Sequence, residues 1–177
     1  MPGRVAVVEY DPEWPRLYGE EAERVRAAFG DLVVEIEHMG STAVPGLAGK
    51  PLIDISVGLT HLEISQEHVR AMERLGYEYL DEYGLPGRLY FQTESRHVHA
   101  VEWGGKHWHR HRAFREYLRA HPDEARAYGD VKRRIAPLAA GFHDYWERKQ
   151  PYTNALFQRA WRWYERARLD PDGHGDD

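Results

Sequence analysis

The chain of 177 residues contains no cysteine. That absence excludes disulfides, thiolate zinc sites, iron–sulfur clusters and a cysteine nucleophile. Asparagine occurs once, and only 4 of the 24 basic residues are lysine, the other 20 being arginine. Scarce thermolabile residues fit a heat-adapted source, although the arginine excess fits genome composition equally well. No stretch approaches 18 uncharged apolar residues, so no membrane span is expected. The opening MPGRVAVVEYDPEW has too short an apolar run for a signal peptide, and the expected location is the cytoplasm. Hydrophobic residues still reach 42% and aromatics 12%, which argues against wholesale disorder. A chain of this length can bury roughly 70% of its extended surface without covalent staples.

The formal charge of −5 is unevenly spread. Residues 1–102 hold 9 bases and 18 acids, whereas residues 103–168 hold 15 bases and 7 acids. The tail 169–177 holds 4 acids and no base. An acidic half followed by a basic half fits a polyanionic partner near the second, two halves that attract each other, or solvated helix faces. No motif that reads nucleic acid accompanies the basic half, so nucleic acid is not the expected partner.

Periodicity alternates between strand and helix up to residue 103 and is helical thereafter. Val5–Tyr10 reads as a short strand or an extended entry. Asp11-Pro12-Glu13 starts a helix that carries Trp14, Leu17, Tyr18, Val25 and Phe29 at helical spacing and stops at Gly30. Leu32–His38, Leu52–Leu59, Tyr77–Leu80, Leu89–Thr93 and His97–Glu102 read as strands, with a helix over Thr60–Leu75. Three helices follow, at Trp108–His121, Pro122–Ala139 and Tyr152–Arg168. Lys132, Arg133 and Arg134 suit the negative end of the second. The expectation is an α+β fold, a mixed β-sheet with flanking helices over 1–103 and a helical C-terminal layer over 104–168 on the same core. Residues 169–177 read as a disordered acidic tail.

The stretch that carries chemistry is His38–Val57. On the strand, Ile53, Ile55, Val57 and Leu59 share one face, and Asp54, Ser56 and Gly58 the other. A carboxylate in the middle of a strongly β-forming run is poorly placed unless it is used or paired. Upstream, Gly40-Ser41 follows a strand. Small residues let the backbone approach a ligand, and backbone N–H groups with the Ser41 hydroxyl can bind phosphate oxygens. Lys50 lies between this turn and Asp54 and could counter phosphate charge. The segment is not a P-loop, because Val44 stands where the first glycine belongs and Pro51 replaces the Ser/Thr.

These residues resemble a known family. His38-Met39-Gly40-Ser41-Thr42-Ala43-Val44-Pro45-Gly46-Leu47 followed by Lys50-Pro51-Leu52-Ile53-Asp54-Ile55 looks like the signature of the GrpB family. The resemblance runs from Tyr10-Asp11-Pro12-x-Trp14 through His97-Val98-His99-Ala100-Val101 and Arg110–Arg119 to Tyr152-Thr153. It implies a nucleotidyltransferase-like fold. In that superfamily a Gly-Ser holds nucleotide phosphates, and carboxylates from two strands hold divalent metal. The matching residues are Gly40, Ser41 and Asp54. Ser56 departs from the pattern, since an acid is expected two residues after Asp54, and His97 and His99 stand where a later acid is expected.

One Asp and several His suit Zn²⁺, Mn²⁺ or Fe²⁺ better than Mg²⁺, and the expected cofactor is a divalent metal: Mg²⁺, Mn²⁺ or Zn²⁺. The candidate metal set is therefore Asp54, His97, His99 and His111, with Asp54 and His99 as candidate catalytic groups. His107 and His111 share a helix face at i, i+4, where packing is the competing reading. His109 faces away and reads as solvent-exposed. Arg112 and Arg115, on one edge of the first C-terminal helix, join Gly40, Ser41 and Lys50 as candidate nucleotide-binding residues. The expected function is binding of a nucleoside triphosphate or other phosphorylated small molecule, with metal-dependent nucleotidyl transfer. A degenerate binder and a His/Asp metal-dependent hydrolase are the alternatives.

Overall fold

The computed structural model describes residues 5–169. A helix α1 (Trp14–Phe29) precedes strands β1 (Val33–Met39) and β2 (Ile53–Leu59). Helix α2 (Gln66–Arg74) leads to β3 (Glu78–Tyr79), β4 (Arg88–Gln92) and β5 (Arg96–Glu102). Three helices close the chain: α3 (Lys106–Ala120), α4 (Pro122–Ile135) and α5 (Phe142–Leu169). The expected α+β class with a mixed sheet and flanking helices is what the chain adopts.

The five strands lie in the order β1-β2-β5-β4-β3. Only β2 and β5 run parallel, and the crossover between them carries α2, β3 and β4. Alternation gives the sheet two unlike faces. Ile53, Ile55, Val57 and Leu59 enter a core with Trp14, Val25 and Phe29 of α1, Met72 of α2, and Phe91, Val98 and Ala100. A second apolar cluster joins Val44 and Leu47 to Tyr117, Leu118, Ala125, Tyr128, Leu156 and Ala160, binding α3, α4 and α5 to the segment after Ser41.

The register arranges the remaining face in rows. Glu37, Ser56, His99 and Tyr90 are cross-strand neighbours, and Met39, Asp54, His97 and Gln92 form the adjacent row. One row further on, Gly58 lets two tryptophans approach. A Cβ there would lie 2.7 Å from Trp103 Cδ1 and 3.1 Å from Trp108 Cζ3.

Four sequence boundaries move. The helix expected over Thr60–Leu75 is confined to Gln66–Arg74. Ser65 caps it: its hydroxyl and its backbone N–H both meet His68 Nδ1, at 2.9 and 3.1 Å. A polar Ser-x-x-His box thus starts the helix, its Ser65 six residues after the strand ends at Leu59. The last helix begins at Phe142, ten residues before Tyr152, and passes through Pro151. Buried Tyr145 anchors the added turns, while Asp144 accepts the Ala140 N–H and pairs with Arg148. Packing of those turns outweighs the loss at proline. α4 ends at Ile135 and a single 3₁₀ turn covers Ala136–Leu138. Val5–Tyr10 makes only one isolated bridge, Val8 with Gly49. Leu169 closes α5, and the rest of the acidic tail lies outside the described residues.

Gly58→Ala is expected to cost about 1–3 kcal/mol, because the sheet must shift or Trp103 and Trp108 must leave their positions. Urea unfolding followed by tryptophan fluorescence measures it, and an unchanged midpoint would contradict the packing described.

Candidate functional site

The Gly40-Ser41 turn, the site face of the sheet and the helical layer meet around Asp54. Gly40 leaves β1 with φ +73°. A Cβ on Gly40 would lie 2.5 Å from Asp54 Oδ2, so only glycine lets the turn rest on that carboxylate. Ser41 opens a short 3₁₀ turn through Ala43. His38 Nε2 and Thr42 Oγ1, 2.8 Å apart, brace the turn from behind, and Thr42 Oγ1 donates to Leu52 O at 3.2 Å.

Asp54, His97 and His99 converge. Asp54 Oδ1 lies 3.4 Å from His99 Nε2 and 3.6 Å from His97 Nδ1. All three offer ligand atoms within 4.8 Å of one another. Burial alone would raise the Asp54 carboxyl, but the His99 hydrogen bond and nearby positive charge overcome it and hold the group below its ordinary value. Burial pushes His97 down to about 4 against the pull of Asp54, so its imidazole is neutral at pH 7. That is the form a metal requires. An N₂O donor set fits a transition ion such as Zn²⁺ or Mn²⁺, and lacks the oxygen shell that Mg²⁺ prefers.

His99 has a second neighbour. Arg88 Nη1 points at His99 Nδ1 from 3.4 Å, while Arg88 Nη2 donates to the carbonyls of Glu82 and Tyr83. A cation facing Nδ1 favours the tautomer protonated on Nε2, which donates to Asp54. Ligation through Nε2 therefore requires that proton to leave. Tyr90 covers the pair, with ring centroids 5.4 Å from His97 and 5.1 Å from His99, and exposed Tyr83 stacks on Tyr90.

Other candidates lie elsewhere. His111 Nδ1 lies 3.1 Å from Ser56 Oγ, and its ring stands 5.5 Å from His99. It backs the cluster and is absent from the converging set. Burial holds it well below its ordinary value. His107 Nε2 lies 2.8 Å from Pro86 O, a tie between α3 and the loop before β4. His109 is half-buried rather than exposed, with Nδ1 3.1 Å from the Tyr164 hydroxyl of α5.

Arg115 ties α3 to β1. Its side chain is 9% exposed, donates to His38 O at 2.8 Å, and pairs with Glu37 and Glu116. Arg112 Nε lies 3.5 Å from the other Glu37 oxygen. Both arginines are thus directed at Glu37 rather than at the Ser41 turn. Glu37 shares the row of Ser56, but these arginines occupy its oxygens. Burial nonetheless raises its carboxyl above the ordinary value.

Arg119 donates from Nε to Ala43 O at the end of the turn at 2.9 Å, and the group that reaches Ser41 itself is a lysine. Lys132 of α4, 2% exposed, donates from Nζ to Ser41 Oγ at 2.8 Å. Gly49 makes room for this contact, since a Cβ there would lie 2.8 Å from Ser41 Cβ and 3.5 Å from Lys132 Nζ. Lys50 projects from the same segment, its Nζ 4.0 Å above the Phe142 ring. Lys149 of α5 lies close enough to sense Asp54, as Lys50 does. Burial is the main cause of the lowered values of all three. Lys132 falls to about 6 with Lys149, Arg133 and Lys50 adding to the effect, and Lys50 falls to about 8 although Asp54 opposes it. Three of the four lysines in the chain therefore gather around one serine and one aspartate. Sequence reading had assigned Lys132 to the helix dipole. The available signal was its spacing from Ala125 and Tyr128, which places it on the buried arc of α4.

A family model described as GrpB protein matches residues 4–159. The chain belongs to the GrpB family. It is 33% identical over 165 residues to UPF0157 protein YqkA of Bacillus subtilis, covering 90% of this chain and 48% of that protein. It is 32% identical over 154 residues to UPF0157 protein BH1888 of Halalkalibacterium halodurans, covering 85% of this chain and 76% of that one. The crystal structure of conserved protein GrpB from Enterococcus faecalis superposes with a TM-score of 0.85 at 34% identity, covering 90% of this chain and 99% of that chain. This GrpB-family chain thus spans about half the length of YqkA, and its relatives are bacterial. No helix among the described residues is long and apolar enough to cross a membrane.

Lys132 also sets a pH dependence of stability. Its value is depressed in the fold, so between about pH 6 and its ordinary value near 10.5 the unfolded chain binds more protons. Stability contributed by this residue therefore rises with pH across that window, by at most about 1.4 kcal/mol per pH unit. Lys132→Met is expected to be more stable than the parent at pH 7 and to flatten the rise. Chemical unfolding at several pH values checks both.

Proposed function

We propose that this chain binds a nucleoside triphosphate together with a divalent transition-metal cation, and transfers the nucleotidyl group to an acceptor. One observation carries the reading: cation-binding and anion-binding groups gather around one carboxylate and the serine of the adjoining turn. Asp54 and His97, with His99 beside them, supply the ligands for a cation. Ser41, Lys50, Lys132 and Lys149 offer donors to a polyanion within reach of that cation. A metal–triphosphate complex presents both charges side by side, and few other metabolites do. The resemblance of Gly40-Ser41 and Asp54 to the nucleotidyltransferase pattern supports the same assignment.

The division of labour follows from the geometry. The Gly40-Ser41 turn and the ε-amines hold phosphate oxygens. The metal, when bound, neutralises charge that develops on the phosphoryl group under attack. His99, fixed between Arg88 and Asp54, holds the carboxylate in position through its Nε2 proton. Tyr90 and the helical layer limit water at the reacting centre. Arg112 and Arg115 keep α3 on the sheet through Glu37 and take no direct part.

A second reading, binding without turnover, rests on Ser56. Its side chain is buried and bonded to His111, so no second acid stands two residues after Asp54. Glu37, in the same row, is held by Arg115 and Arg112. Transfer activity separates the two readings.

Asp54→Ala and His97→Ala are expected to weaken Mn²⁺ or Zn²⁺ binding at least 100-fold, and His99→Ala about tenfold. Metal-dependent ATP affinity should fall in parallel while the circular dichroism spectrum is retained. Calorimetry with each metal, with and without ATP, makes the measurement. Parent-like metal affinity in Asp54→Ala would remove the proposal. A screen of acceptors for release of pyrophosphate then chooses between enzyme and binder.

A further inference from the structure

Lys132 poses a problem that the reading above leaves unsolved. Its ammonium is almost fully withdrawn from water, with 2% exposure. A buried charge is normally paired with an opposite one. Among the described residues Lys132 has no carboxylate partner, and its hydrogen bond goes to the neutral Ser41 hydroxyl. The Tyr128 ring lies 4.6 Å from its Nζ. The charges around it come from Lys50 on the loop, Lys149 on α5 and Arg133 on its own helix, and all are positive. Tyr128 of α4 and Tyr145 of α5 are both held above the ordinary phenol value by burial, so they stay neutral and supply no counter-charge. Asp54, the nearest acid of the site, acts on Lys50 and Lys149 and is not among the charges that shift Lys132.

We infer that Lys132 and Ser41 form a phosphoryl subsite that is completed by the ligand itself: the incoming tetrahedral dianion supplies the missing counter-charge, and Lys132 takes up a proton as it binds. This deepens the proposed function by naming the group that meets the terminal phosphoryl oxygens, and it rests on that reading only for the identity of the ligand. The depressed value of Lys132 supports it, because an amine that is neutral before binding and charged after must acquire a proton from solution. A neutral amine costs little to bury, and a charged one beside a dianion is stabilised by a short-range pair in a shielded pocket. Filling the subsite therefore becomes pH-dependent, with affinity falling as pH rises above about 6. A second consequence is selectivity by charge. Dianions that fit the turn gain the full pair, whereas monoanions such as chloride or a carboxylate gain less for the same proton.

Inorganic sulfate is a suitable probe, since it remains a dianion over the whole range and any pH slope belongs to the protein. Its affinity is measured by calorimetry without metal or nucleotide at pH 6.5, 7.5 and 8.5. The expected result is a fall approaching tenfold per pH unit, with proton uptake visible as a heat that changes with the ionisation enthalpy of the buffer. Lys50 titrates near pH 8 and Lys149 is also lowered by burial, so the part of the slope that Lys132→Met removes is the part that reports Lys132. Lys132→Met should bind sulfate at least tenfold more weakly at pH 6.5 and lose that part of the slope. Lys106→Met, altered at the exposed start of α3, should behave as the parent. Sulfate affinity that is flat with pH, no sulfate binding, or parent-like binding by a folded Lys132→Met would each overturn the inference. If Lys132→Met does not fold, the slope and buffer dependence of the parent decide alone. Failure of metal-dependent ATP binding with the sulfate slope intact would remove the proposed function and leave this subsite. The opposite pattern would remove the subsite and leave the metal reading.

Discussion

The contact between the Gly40 backbone and the Asp54 carboxylate is the constraint around which this molecule is arranged. β1 and β2 are antiparallel neighbours, and the pairing of Met39 with Asp54 is the last rung before the chain turns. At that rung a side chain on residue 40 would collide with the acid. Glycine permits the collapse, and the turn that follows delivers Ser41 beside Asp54. The remaining groups are placed relative to that pair. β5 brings His97 and His99 alongside through parallel pairing, and α4 and α5 close over the serine.

The two sides of the site solve opposite electrostatic problems. On the sheet, a carboxylate is surrounded by imidazoles, one neutral through burial and one aligned by Arg88. Under the helices, Lys132 has other amines around it and no carboxylate partner among the described residues. Each side alone is frustrated, since polar groups are shielded from water without full partners. A ligand carrying a cation next to a polyanion would satisfy both at once. Local strain of this kind is common where a fold gives up stability for binding.

The sheet side was legible in the sequence and the helical side was not. Asp54 stood out because alternation in Leu52–Leu59 left an acid facing away from the core. His97 and His99 fell on one face for the same reason, with period 2 deciding their direction. The family signature over His38–Ile55 was equally visible, because its residues are contiguous. Lysines 132 and 149, in contrast, lie 91 and 108 positions after Ser41, and nothing local announces that their helices fold back over it. Arginine attracted attention by number, yet Arg112 and Arg115 are spent on Glu37, whose position opposite Ser56 depends on strand register. The sequence pattern starts the last helix at Tyr152, and tertiary packing of Tyr145 extends it back to Phe142 through Pro151.

The long α5 has a consequence for how the molecule becomes competent. Its first turns carry Phe142 and Tyr145, and Lys149 follows shortly before the proline. Asp54, His97 and His99 have all been synthesised by residue 99, as has Lys50, whereas Lys132 and Lys149 come 33 and 50 residues later. A nascent chain would hold its acid and imidazoles ready well before α4 and α5 could cover Ser41. Closure over the serine is thus a late event in the maturing polypeptide, completed when the final helix docks.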